Sequence, residues 1–345
     1  AYGQWMRDEA ERRIGHLYPD ATAPNGEKLT PIAWIWARTV ESPDPTWNGH
    51  VPLVASWTLA NKKGKPKVWI EPIIDRATQT ITYEVRTGGQ PTHERTVDRG
   101  NGTCIATGSA MPYLYIRDES FAGRMGSHLM AVVAEGQTGR MYVRPTKADQ
   151  GAISTGSEPT WKPESKIGIH PRNISTPPFG LDEWWKLFTP RQLSALTTFS
   201  DLLPEVRERV IADAVSCGLG NDDARLRDGG SGATAYADAI VTYLAFNIDK
   251  CAEHWCTICT WHTRNEQIRN VFARQAIPMT WDYAEVNPFS RKLASWDSQI
   301  RGLVGAIRDC LVPMAVTGDA VQRDARVRVR EAVGAVVSTD PPYYD

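Results

Sequence analysis

No stretch of 18 or more apolar residues occurs in the chain, so no segment is expected to cross a membrane as a helix. The opening residues, AYGQWMRDEAERRIG, are amphipathic and charged, and they have neither the apolar centre of a signal peptide nor an initiating Met. The expectation is an internal piece of a longer chain, cut at both ends. Cysteine is scarce, six in 345 residues at irregular spacing, which excludes a disulfide framework and points to a reducing, cytoplasmic setting. A strong charge of one sign is also missing. The net charge of −1 excludes a uniformly basic nucleic-acid binder but leaves room for a local basic surface. Finally, no glycine-rich loop directly follows a strand. GLGND at 218–222 follows a helical stretch, and AGRMG at 122–126 has bulky Arg124 and Met125 inside it. No cofactor-binding residue can be assigned from such a loop.

What is present is an ordinary globular composition, 41% hydrophobic and 23% charged, long enough for two or three domains. The thirteen tryptophans read as large core and interface fillers. Residues 1–29 read as an N-terminal helix and connector, with Trp5, Ala10, Ile14 and Leu17 roughly on one side. Residues 30–145 hold short β-branched and aromatic runs, PIAWIWARTV and HLMAVVAEG among them, punctuated by Gly, Pro and Asp, and predict a β-rich module. Residues 146–180, dense in Pro, Gly, Ser and Thr, read as a flexible linker or as a mobile segment offering Lys147, Lys162, Lys166 and Arg172 to phosphates. Residues 181–330 read as mainly helical. One helix opens on Thr189 as N-cap with Pro190 behind it, a long apolar one follows over 233–262, and another is expected over NEQIRNVFARQA. Residues 331–345 close on a short buried strand, Gly334 to Ser338, that runs into TDPPYYD.

That ending has a specific chemistry. Pro341 and Pro342 fix φ and remove two backbone donors, so the loop is stiff and its carbonyls face outward. Asp340 then stands at the C-terminal end of a strand, where open α/β sheets bind ligands. A planar ring with an exocyclic amino group suits this set: its hydrogens go to the Asp340 carboxylate and the Pro341 carbonyl, and its face to Tyr343. With both hydrogens held, the nitrogen lone pair is aimed at an electrophile such as a methyl group.

TDPPYYD resembles the catalytic motif of amino-group DNA methyltransferases. PIAWIWARTV, AGRMGSHLMAVVAEG, RQLSALTTFSDLL and RQAIPMTWDYAEVNPF are similar to the central region of adenine-specific DNA methylases that carry an inserted zinc ribbon and accompany phage-defence genes. The resemblance runs over nearly all of the chain. It implies a mixed α/β fold with a Rossmann-like methyltransferase core, represented here mainly by its catalytic strand and DPPY loop. It further implies S-adenosylmethionine as cofactor, its motif lying upstream of Ala1, and DNA as partner, together with other defence-system proteins. Asp340, Pro341, Pro342 and Tyr343 carry over as the residues that hold the target amino group and base, with Tyr344 and Asp345 extending them. Adenine N6 is the expected acceptor. An RNA or protein-amide acceptor, and a non-catalytic DNA-binding component of a defence complex, are the alternatives.

The chain departs from that family at its ribbon. Ser42 and Trp47 occupy the apparent positions of the first cysteine pair, and Cys104 alone represents the second, so zinc is not expected. His50 and His93 are weak substitutes. Cys256, Cys259 and His262 have ligand-like spacing, but on a helix they would spread around the axis, so core packing is the expectation. Trp281 and Asp282, near Glu285 and Asn287 in an irregular stretch, are candidate walls of a base pocket as well as a packed corner. Arg323 and Arg326, in QRDARVRVRE, are candidates for phosphate contact beside the catalytic strand.

Overall fold

The eleven residues PIAWIWARTVE form one strand, β1 (Pro31–Glu41), which is buried along its length up to Glu41. A strand covered on both faces reads as a continuous apolar run, and this one is continuous apart from Arg38 and Thr39. The computed structural model describes residues 1–137, 139–146, 149, 159, 161–170, 172–292 and 294–310. The chain divides into two units, Ala1–Gly305 and Ala306–Asp345, and of the second only the helix end up to Cys310 is described. Asp340, Pro341, Pro342, Tyr343, Tyr344, Arg323 and Arg326 lie outside the described residues.

The fold is mixed α/β, with five α-helices among the described residues and several antiparallel sheets. Eight strands carry the argument. Beside β1 they are β2 (His50–Leu53), β3 (Thr58–Ala60), β4 (Val68–Asp75), β5 (Thr80–Thr87), β6 (Gly126–Gly136), β7 (Gly139–Val143) and β8 (Asp282–Val286). β6 pairs with β1 on one edge and with β7 beyond it, while β8 and β2 share the other edge of β1 end to end. A second sheet, β3-β4-β5, is a meander whose central hairpin runs from Val68↔Thr87 to Asp75↔Thr80.

The helices are α1 (Tyr2–Ile14), α2 (Tyr113–Phe121), α3 (Pro190–Ser216), α4 (Ala233–Ala252) and α5 (Trp296–Asp309). The expected start of α3 is observed in full. Thr189 accepts from the Gln192 backbone N–H, Gln192 reaches back to the Thr189 N–H, and Pro190 sits in the first turn. Its buried side, Phe199, Leu202, Val206 and Val210, repeats at three and four residues, and α3 packs on both α1 and α4. Phe199 stacks on Trp296 at 4.0 Å and tilts against Trp255 at 5.8 Å, which joins α3 to α5 and to the segment after α4.

Two expectations are corrected here. The helix expected over 265–276 is absent; the chain forms a small hairpin, Trp261–His262 with Gln267–Ile268, and then a single 3-10 turn, Val271–Ala273. Tertiary bonds decide this: the Arg269 N–H goes to the Thr260 carbonyl at 2.9 Å, and the Asn270 side chain binds Glu253. The helix expected to run through Cys256 and Cys259 ends at Ala252, because Trp255 donates to the Ala294 carbonyl and Thr257 to the Leu187 carbonyl. The stretch around Asp282 and Glu285, read as irregular, supplies β8, which pairs with β1. In the described part of the expected linker Ile167, Thr176 and Phe179 are buried, Trp161 and Ile169 are exposed, and the backbones of Lys166 and Glu183 form an isolated β-bridge. Among the described residues no helix is long and apolar enough to cross a membrane.

Candidate functional site

β8 presents its side chains alternately to two environments, as the period of a strand requires. Glu285, opposite Trp34 in β1, points into the core, where it is fully buried with Arg191. The guanidinium of Arg191 meets it at 2.7 and 3.0 Å, and Trp36 Nε1 and Thr189 Oγ1 donate to the same carboxylate at 2.9 and 2.8 Å. Arg191 lies over the Trp34 and Tyr18 rings at 4.1 and 4.9 Å and donates to the Leu17 carbonyl. A pair this completely satisfied is structural. Asn287 is also committed, its amide donating to the Pro31 carbonyl at 2.9 Å.

Asp282 occupies a different setting. Its Oδ2 accepts the backbone N–H groups of Ala55 and Ser56, both at 3.2 Å, in the loop between β2 and β3. The carboxyl lines a cavity of about 310 Å³ with Trp261, Arg269, Thr260, Tyr283, Ser56 and neighbouring apolar residues. Burial pushes its pKa up to about 6, against the pull of the two amides. The neighbouring sequence candidate, Trp281, faces elsewhere: its ring meets Phe179 edge-on at 4.8 Å, and Phe179 in turn meets Tyr113 at 5.1 Å. The structure therefore separates the two, placing Asp282 on a cavity and Trp281 in an aromatic contact.

The Asp282 pKa gives a pH-dependent prediction. A carboxyl protonated more readily in the folded than in the unfolded chain makes its own contribution to stability fall as pH rises from about 4 to about 6. Asp282→Asn removes this loss while keeping an oxygen for the two amides. The variant should match wild type near pH 4 and exceed it by up to about 2 kcal/mol at pH 8, the figure allowing for partial solvent access. Thermal melts across that range check it, and a difference independent of pH would contradict it.

A second cavity, of about 410 Å³, shares Thr260 and Arg269 with the first and is lined further by Arg172, Asn173, Asn270, Arg274 and Thr280. Arg172 was a sequence candidate for phosphate contact; Arg269 and Arg274 were not, because the segment carrying them read as a helix face. Two unpaired arginines five residues apart beside an exposed Phe were the signal available.

Arg38 is a further residue missed in the sequence. It is buried, and it donates to the Thr280 and Thr257 carbonyls and to Thr257 Oγ1, tying Thr280 in the wall of the second cavity to β1.

The positions compared with zinc ligands come together as hydrogen-bonded turns. Ser42 Oγ lies 3.3 Å from Cys104 Sγ, and Ser109 Oγ donates to Asp44 at 2.7 Å. His50 is bonded to Thr39 and His93 to Thr92, at separate places. Cys256 and Cys259 are buried with their sulfurs 3.3 Å apart, while His262 Nδ1 accepts from the Asn265 N–H. Among the described residues no group of three or more His, Cys, Asp and Glu side chains is arranged to hold a metal ion.

No family model, no curated protein and no solved structure matches the chain.

Proposed function

We propose that the chain is part of an S-adenosylmethionine-dependent methyltransferase acting on the N6 amino group of adenine in DNA. The observation that carries this reading is the sequence GAVVSTDPPYYD at 334–345, an apolar run that leads directly into Asp340-Pro341-Pro342-Tyr343. In this reading the strand and loop belong to a Rossmann-like core. Asp340 and the Pro341 carbonyl hold the two amino hydrogens, and Tyr343 covers the ring. The residues that would hold the methyl donor are not assigned within the chain. The described unit supports the reading through the arginines that line its second cavity, which suit a nucleic-acid strand.

The test is an acceptor screen. The protein carrying this chain is incubated with S-adenosylmethionine labelled in its methyl group and with DNA, RNA or glutamine-bearing protein in turn. Label is expected in DNA alone. Label in RNA or protein with none in DNA would overturn the acceptor, and label in none of the three would overturn the enzymatic reading in favour of a DNA-binding component.

A further inference from the structure

Three guanidinium groups line one cleft whose walls carry no carboxylate, and one of them, Arg269, also borders the adjoining cavity of Asp282. Arg172, Arg269 and Arg274 all line the 410 Å³ cavity, and no Asp or Glu does. None of the three makes an ion pair among the described residues, whereas elsewhere in the chain Arg124 meets Glu119 at 2.6 Å and Arg225 meets Asp238 at 2.5 Å. All three are exposed. Like charges held together in this way repel one another, and an anion between them removes that repulsion.

Backbone bonds hold the arginines in place. Arg172 precedes Asn173 and Ile174, and Arg274 precedes Ile277. These two segments are joined by a bridge between Ile174 and Ile277, with the Ile277 N–H to the Asn173 carbonyl at 2.7 Å and the Ser175 N–H to the Ile277 carbonyl at 3.0 Å. Arg269 is fixed at the end of the small hairpin through the Thr260 carbonyl. Arginine presents a planar fork of donors that fits phosphate oxygens two at a time. Between Arg269 and Arg274 in the chain comes Phe272, which is 59% exposed on the short 3-10 turn whose Val271 and Ala273 line the cavity while Phe272 itself does not. An exposed ring in the same segment as unpaired arginines is a combination that binds a single nucleic-acid strand, with phosphates on the cations and a base on the ring.

We propose that the 269–274 segment and Arg172 form a binding surface for a single strand of DNA, with phosphodiesters on Arg172, Arg269 and Arg274 and a base stacked on Phe272. The proposal rests on the nucleic-acid reading above, but it concerns binding and needs no methyl transfer. A free phosphate ion would use the arginines and leave Phe272 idle, which separates the two ligand sources.

The experiment measures the affinity of a fluorescent single-stranded DNA oligonucleotide by anisotropy, over a range of salt concentrations and without methyl donor. The triple variant Arg172→Gln, Arg269→Gln, Arg274→Gln should bind at least about tenfold more weakly, and its log–log salt slope should fall by about 2, roughly 0.7 per phosphate contact. Phe272→Ala should weaken binding about fivefold or more at unchanged slope. Lys62→Gln, Lys63→Gln, Lys65→Gln removes the same charge elsewhere and should leave the slope nearly unchanged. Unaltered affinity and slope in the triple variant would overturn the proposal, as would an equal slope change in the lysine variant. Full retention of affinity in Phe272→Ala would reduce the cleft to a phosphate ion site and overturn strand binding. All substituted side chains are exposed, and coincident thermal melts confirm that each variant is folded. If these results hold while the acceptor screen finds no methyl transfer, the strand surface stands and the enzymatic reading falls.

Discussion

Glu285→Ala is expected to lower the stability of the described unit by about 3–5 kcal/mol, the cost of leaving a buried charge without its partner. Arg191 would lose both of its hydrogen bonds to Glu285, at 2.7 and 3.0 Å, and retain the Leu17 carbonyl and two aromatic faces. Trp36 Nε1 and Thr189 Oγ1 lose an acceptor in the same step. The damage also spreads, because the pair ties α3 to β8 and, through Trp34 and Trp36, to the central strand. Glu285→Gln keeps the shape and part of the hydrogen bonding and should cost less. A double variant, Arg191→Met with Glu285→Leu, removes both charges and should recover much of the loss. Denaturant midpoints at a constant m-value measure all three. A Glu285→Ala midpoint within error of wild type would show that the pair contributes nothing.

Asp340→Ala is expected to reduce methyl transfer by about a thousandfold or more while leaving DNA binding nearly intact. Removing a single preorganised group that acts on charge in the transition state costs on the order of a hundred- to a thousandfold in rate. Asp340 would do more than that, since it also fixes the direction of the attacking lone pair. Tyr343→Ala should give a smaller loss that shows mainly in the Michaelis constant for DNA, because a stacking face binds ground and transition states alike. Binding should survive in both variants if strand contact lies at Arg172, Arg269 and Arg274. An Asp340→Ala variant that methylates DNA at close to the wild-type rate would remove the role assigned to the motif.

Features set by local chemistry were legible in the sequence. PIAWIWARTV was legible as one run of a β-rich module, and the Thr189-Pro190 start of α3 was visible from the cap residues alone. Features set by distant partners were not. AEV in β8 looked irregular because its strand partner is β1, some 250 residues earlier, and nothing in its own spacing points there. Arg269 and Arg274 seemed to belong to an amphipathic helix. The chain is pulled out of that helix by bonds from Asn270 to Glu253 and from Arg269 to Thr260. Glu285 and Asp282 illustrate the same limit within a single strand. Both are carboxylates three residues apart, and only the fold places one against Arg191 and the other on a cavity. The Ser42 and Cys104 positions were identified as possible relatives of a metal corner, and they do meet, through a hydrogen bond.

The most direct test of the central claim is the chemical position of the transferred methyl group. DNA incubated with the protein carrying this chain and with methyl-labelled S-adenosylmethionine is digested to nucleosides and separated. The account predicts label in N6-methyldeoxyadenosine from the wild-type protein and essentially none from Asp340→Ala. Equal label from both proteins, or label confined to a ring carbon such as C5 of cytosine, would contradict it.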